Sequence, residues 1–138
     1  MKRTIYSLSL VVLTISMIAC KGKKKSITHS HEFNEDVTIG VGDTATFDDG
    51  LQFSLVRITS DSRCPKGSNC VWAGEVVAVF TANEEEELTI SSDPLKNPVK
   101  LGTYLIELVG ASPEKTDAAI AQGDYQLTFK IRKPIEQP

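Results

Sequence analysis

Arg63, Lys66, Trp72 and Glu75 fall in one stretch, Asp61-Ser62-Arg63-Cys64-Pro65-Lys66-Gly67-Ser68-Asn69-Cys70-Val71-Trp72-Ala73-Gly74-Glu75, and they offer recognition rather than reaction chemistry. Trp72, the chain's only tryptophan, combines a large apolar face with one donor that wants a partner. Arginine and tryptophan are enriched where binding energy concentrates. These four side chains are the candidate binding surface. The competing expectation is structural: Trp72 packs beside the cysteines and caps one end of the fold, while Arg63 pairs with Asp61 or Glu75.

Groups for bond-breaking chemistry are sparse. His29 and His31 are the only histidines, and both are expected in a polar tether ahead of the folded domain. A domain without imidazole excludes serine or cysteine nucleophiles activated by histidine, and histidine-rich zinc or iron sites. His29-Ser30-His31 offers two ligands without fixed supporting partners, too little for a defined copper or zinc site. Paired carboxylates would suit a small hydrolase, the alternative function, but a small β domain has little room for the cleft that glycoside chemistry needs. Glu84 to Glu87 would suit calcium on paper; a solvated hairpin tip that discourages edge pairing is the expectation. No catalytic residue, metal ligand or cofactor is assigned.

The start of the chain is built differently. Lys2 and Arg3 precede a mostly apolar run from Ile5 to Ile18, and Met17-Ile18-Ala19 leads into Cys20. That is the tripartite form of a secretory signal. A spanning helix needs roughly 20 predominantly apolar residues, and this run is shorter and broken by Ser7, Ser9, Thr14 and Ser16. The run ending in Cys20 resembles the lipobox of bacterial lipoproteins, with Met17 where that family most often has Leu. The resemblance implies removal of residues 1–19, lipidation of Cys20 and a membrane anchor in the cell envelope. More than one acyl chain at about 0.8 kcal/mol per buried methylene would hold such a protein stably. Lys21, where some bacterial lipoproteins carry an aspartate that retains them at the inner membrane, points to the outer membrane.

In that oxidising compartment, with Cys20 assigned to lipid, Cys64 and Cys70 remain as an even pair suited to a disulfide. The loop it would close is short, so chain entropy gives only about 2 to 2.5 kcal/mol. Its main effect would be to fix the shape of Pro65-Lys66-Gly67-Ser68-Asn69. A metal site from the two thiolates lacks further Cys or His nearby. A tied loop presenting Lys66-Gly67 also raises a protease inhibitor as an alternative, although inhibitory loops are extended at the cut bond and Gly67 favours a turn.

Charge divides the chain. Residues 1 to 25 hold six basic and no acidic residues, leaving nine basic against 18 acidic from residue 26 onward, a net charge of −9. Lys21, Lys23, Lys24 and Lys25 beside the lipid would each add roughly 1 kcal/mol against an anionic surface. The acidic domain makes nucleic acid an unsuitable partner. Another envelope protein, a glycan or a small ligand is the expected one.

Arg-Cys-Pro followed by a second cysteine and Trp-Ala-Gly is similar to a motif of small secreted and lipid-anchored bacterial proteins. Those proteins also show a Leu-Gly (Leu101-Gly102 here) and a Tyr opening the final strand (Tyr125 here). The resemblance implies fold and compartment and carries no known activity.

The elements that must position this stretch alternate with a period of two. Val37 to Ile39, Thr44 to Phe47, Leu51 to Ser60, Gly74 to Ala82, Glu86 to Ser91, Tyr104 to Val109 and Tyr125 to Ile131 read as strands. Asp48-Asp49-Gly50 is a hairpin turn with positive φ expected at Asp-Gly. The change of phase from Leu51, Phe53 and Leu55 to Val56 and Ile58 predicts a bulge near Val56. Ser112-Pro113-Glu114 opens a short helix. Gly123-Asp124-Tyr125 is either a tyrosine corner or the start of a core face. The expectation is therefore an all-β, antiparallel two-sheet sandwich of immunoglobulin-like kind with about seven strands, a small barrel being the alternative. Its parts are a signal at 1–19, the lipidated cysteine and tether at 20–35, the domain at 36–133 and a tail at 134–138.

Overall fold

The computed structural model describes residues 26–133. The leader, Cys20, the lysines after it and the tail 134–138 lie outside the described residues. Among the described residues nine strands form: β1 (Ser26–His31), β2 (Asp36–Gly40), β3 (Thr44–Phe47), β4 (Gln52–Asp61), β5 (Val76–Ala82), β6 (Glu86–Ser91), β7 (Val99–Leu101), β8 (Tyr104–Ser112) and β9 (Gln126–Arg132). They make a five-stranded sheet in the order β1-β3-β4-β5-β6 and a four-stranded sheet in the order β2-β9-β8-β7. The fold is the expected two-sheet sandwich, and the sheets do not close into a barrel. All pairings are antiparallel except β1 with β3.

The alternation in sequence becomes burial. Leu127, Phe129 and Ile131 line the inner face of β9, with Tyr125 buried just before it, as Phe53 and Leu55 do on β4 and Val76, Ala78 and Phe80 on β5. Phe53, Phe80 and Phe129 form the centre, with ring centroids 4.8 Å apart for Phe53 and Phe80 and 5.1 Å for Phe53 and Phe129. Burying each such side chain stabilises the fold by about 1.5 to 3 kcal/mol. The expected bulge is present, because the β4–β5 register shifts between Leu55 and Arg57. Val56 is thereby turned outward while Ile58 returns to the core.

Four details differ from expectation. Ser26–His31, assigned to the tether, forms strand β1 on the edge of the larger sheet. His31 therefore belongs to the folded domain: its ring lies 5.9 Å from that of Phe47, and its Nδ1 is 3.1 Å from Glu35 Oε1. The domain does contain an imidazole. The strand count is nine rather than about seven, since the three-residue β7 was also unseen. The turn at Asp48-Asp49-Gly50 has positive φ at Gly50 alone, with Gly50 N donating to Phe47 O and Phe47 N to Leu51 O, the three-residue hairpin with a glycine bulge. No helix starts at Ser112; the segment instead runs as a loop to a 3-10 turn at Gln122–Asp124. Residues 113 to 121 offer no apolar stripe to bury, and a short helix without one is not stable.

The connections sort to two ends. One end, the upper, carries the β4–β5 and β8–β9 loops. The opposite, lower end carries the β3–β4, β5–β6 and β7–β8 turns.

Candidate functional site

The loop from Ser62 to Glu75 prolongs the β4–β5 ladder beyond its last strand pair. Ser62 N donates to Glu75 O at 2.8 Å and Cys64 N to Ala73 O at 2.9 Å. Gly74 sits between them at φ +73°, with Ser62 O only 1.9 Å from where a Cβ would stand. Only glycine fits that crossing. Farther out, Cys64 and Cys70 are joined in a disulfide with Cα atoms 5.9 Å apart. Inside the bridge, Ser68 N donates to Pro65 O across a turn with Gly67 at φ +85°. Replacing both cysteines by alanine is expected to lower stability by about 2 kcal/mol, the entropy of a short closed loop, read from urea unfolding. A loss above twice that would mean the bridge supports more than its own loop.

Asp61 organises the base of the loop. Its carboxylate accepts from Arg63 Nε and Nη2, both at 2.9 Å, from Arg63 N at 3.2 Å and from Tyr125 Oη at 3.0 Å. Arg63 Nη1 reaches across to Ala111 O on the other sheet at 2.9 Å. Lys115 Nζ lies 3.8 Å from the same carboxylate and donates to Asp61 O at 3.2 Å. Burial pushes the Asp61 carboxyl up, but the bonds from Arg63 and Tyr125 outweigh it and bring it down to about 2. Arg63 is held above its ordinary value by the bonds it donates to Asp61. A carboxylate so placed is an anion at neutral pH, suited to holding a loop and unsuited to passing protons.

The four surface candidates thus part ways. Arg63 is spent on the clamp, as the structural expectation had it, and pairs with Asp61 rather than Glu75. Glu75 is bound to Lys96 Nζ at 2.7 Å and to the Ser91 hydroxyl, which together lower its pKa. Lys66 donates to Glu114, which raises its pKa, and its backbone N donates to Lys115 O at 2.8 Å. Arg63, Cys64, Lys66, Glu114 and Lys115 line an open cleft of about 250 Å³. Trp72 does not pack into the core: it is 64 % exposed beside a fully exposed Val71. The Asp61, Arg63 and Tyr125 network, with Gln122 bonded to both backbone groups of Ile58, closes that end of the sandwich with polar groups.

Tyr125 answers to both readings of its segment. It is buried immediately before β9, in line with that strand's core face, and its hydroxyl is bonded, though to the Asp61 side chain rather than to nearby backbone as in a tyrosine corner. Sequence reasoning placed Asp61 and Arg63 together but missed Glu114 and Lys115, which come from the loop read as a helix. Compared with known proteins, the chain matches no family model, no curated protein and no solved structure.

Proposed function

We propose that this chain is a lipid-anchored protein of the bacterial cell envelope, tied through Cys20, whose sandwich serves as a non-catalytic binding module. The observation that carries the binding role is the exposed Val71-Trp72 pair on a loop fixed by a disulfide, a glycine crossing and an ion-paired clamp. A large apolar side chain held in solvent on a rigid backbone has already lost most of the entropy that docking would take. The compartment is supported by the lipobox resemblance and by the Cys64–Cys70 disulfide, a bond that persists in oxidising surroundings. The Lys66-Gly67 turn is folded where a protease-inhibitory loop would be extended, so that alternative gains no support.

The test is a photo-cross-linking residue, p-benzoylphenylalanine, placed at position 71 or at position 85 in the full chain in living cells. Position 85 lies in the turn at the lower end and serves as the control. Adducts to an envelope component from position 71 and none from position 85 are the expected result. Absence of adducts from both would end the binding role. Trp72→Ala should unfold within about 0.5 kcal/mol of the native chain, since its ring fills no core space.

A further inference from the structure

Strand β1 determines which end of the sandwich the anchor approaches. It runs parallel to β3, with Ser26 opposite Thr44, and Thr44 in turn pairs with Ser54 of β4. β4 then continues to Asp61, opposite Val76. β1 therefore runs away from the upper end, and its first residue is on the side of the end from which the Ser62 to Glu75 loop projects. Had β1 paired antiparallel, the anchor would have approached the glutamate turn instead.

Lengths tighten the constraint. Cys20 is six residue steps from Ser26, a reach of about 20 Å when fully extended. From Ser54 to Asp61 is seven steps along β4, about 23 Å at strand rise and less with the two register shifts. The loop then goes on past Cys64 and Ala73. A lipid on Cys20 that follows the direction of β1 therefore stands no farther out than the base of the loop, so a bilayer that lies across the upper end and holds the lipid meets the loop's tip.

We propose that Val71 and Trp72 seat in the headgroup region of an anionic phospholipid bilayer, so that the domain touches its membrane at both Cys20 and Trp72. This rests on the lipid-anchored reading above and names what the exposed pair binds. Tryptophan partitions to the membrane interface because its ring is apolar and its N–H is wet. Charge agrees. Lys21, Lys23, Lys24 and Lys25 lie in the short link to the anchor, and Asp61, Glu75 and Glu114 around the loop are each paired with a cation. The acidic run Glu84 to Glu87 sits in and beside the β5–β6 turn at the far end, where an anionic surface repels it least.

Trp72 is the only tryptophan, so its fluorescence reports on this contact alone. The full chain is purified from membranes, its acylation is read by intact mass, and it is reconstituted into phosphatidylethanolamine and phosphatidylglycerol vesicles with or without brominated acyl chains. Emission shifted to the blue and lost to brominated lipid is the expected result. A Trp72→Phe, Glu85→Trp chain, carrying its tryptophan at the lower end, should keep its emission. An acylated chain whose Trp72 is neither shifted nor quenched overturns this inference and leaves the anchor standing. Quenching at both positions overturns the orientation. Cross-links from position 71 to a protein or glycan and none to lipid overturn it in favour of that partner. An unacylated Cys20 overturns the lipid-anchored reading and this inference together.

Discussion

Alanine at position 74 is expected to destabilise the protein by about 3 kcal/mol, while alanine at position 67 should cost only about 1 kcal/mol. Both glycines have positive φ, +73° and +85°, so both substitutions force a side chain into the left-handed region. The difference is space. A Cβ on Gly67 meets nothing within 4 Å, whereas one on Gly74 would lie 1.9 Å from Ser62 O and 2.8 Å from Arg63 Cα. Backbone cannot yield as a side chain does. The strands must part there, loosening the Ser62 to Glu75 and Cys64 to Ala73 hydrogen bonds, each worth about 1 kcal/mol net. Urea unfolding of the two variants beside the native chain measures the gap. Equal losses would show that the crossing at Gly74 relaxes freely and that the loop is less fixed than its hydrogen bonds imply. Because the loop carries Trp72, Gly74→Ala should also weaken whatever contact position 71 makes, whereas Gly67→Ala should leave it in place.

The parts of this molecule that were legible from sequence are those where one face of a strand meets the core. Tyr125, Leu127, Phe129 and Ile131 alternate with polar neighbours because the sheet has a dry side and a wet side, and the Val56 bulge was readable because it breaks that same rhythm. β1 gave no such signal. Ser26 to His31 contains one large apolar residue, and what brings it into the sheet is the backbone edge of β3, which leaves no periodic trace. Strand β7 is too short for a period of two to register.

The loop was legible by composition and not by arrangement. Its cysteines, its Arg63 and Asp61, and its single tryptophan all stood out, yet burial of Trp72 was the natural expectation for so large a ring. What closes that end of the sandwich is a polar network assembled from residues distant in sequence: Asp61, Arg63, Ala111, Lys115 and Tyr125. Long-range pairing of this kind has no local pattern. The end of the sandwich is thus closed by charge instead of by apolar side chains, and Trp72 is exposed.

Replacing Asp61 by alanine should therefore be among the most damaging single changes outside the aromatic core, lowering stability by about 3 to 5 kcal/mol. The carboxylate is 4 % exposed, and its loss removes the acceptor of Arg63 Nε and Nη2, of the Arg63 backbone N–H and of the Tyr125 hydroxyl, leaving the guanidinium only its bond to Ala111 O. Asp61→Asn keeps an acceptor of the same shape without the charge and should lose less. The two variants separate electrostatics from hydrogen bonding. They also predict a pH dependence. The folded carboxyl lies at about 2 against 3.8 for the free group, so its stabilising contribution is complete above about pH 4 and is lost as pH falls through 2. At 1.36 kcal/mol per unit, the native chain should lose about 2 kcal/mol from this group across that window. In Asp61→Asn that part of the acid loss should vanish, while the smaller contributions of Asp49 and Glu75, whose carboxyls are also lowered, persist. If the native chain and Asp61→Asn fall in parallel between pH 4 and 2, the clamp does not depend on the Asp61 charge, and the rigidity that makes the exposed Trp72 a binding element must come from the disulfide and Gly74 alone.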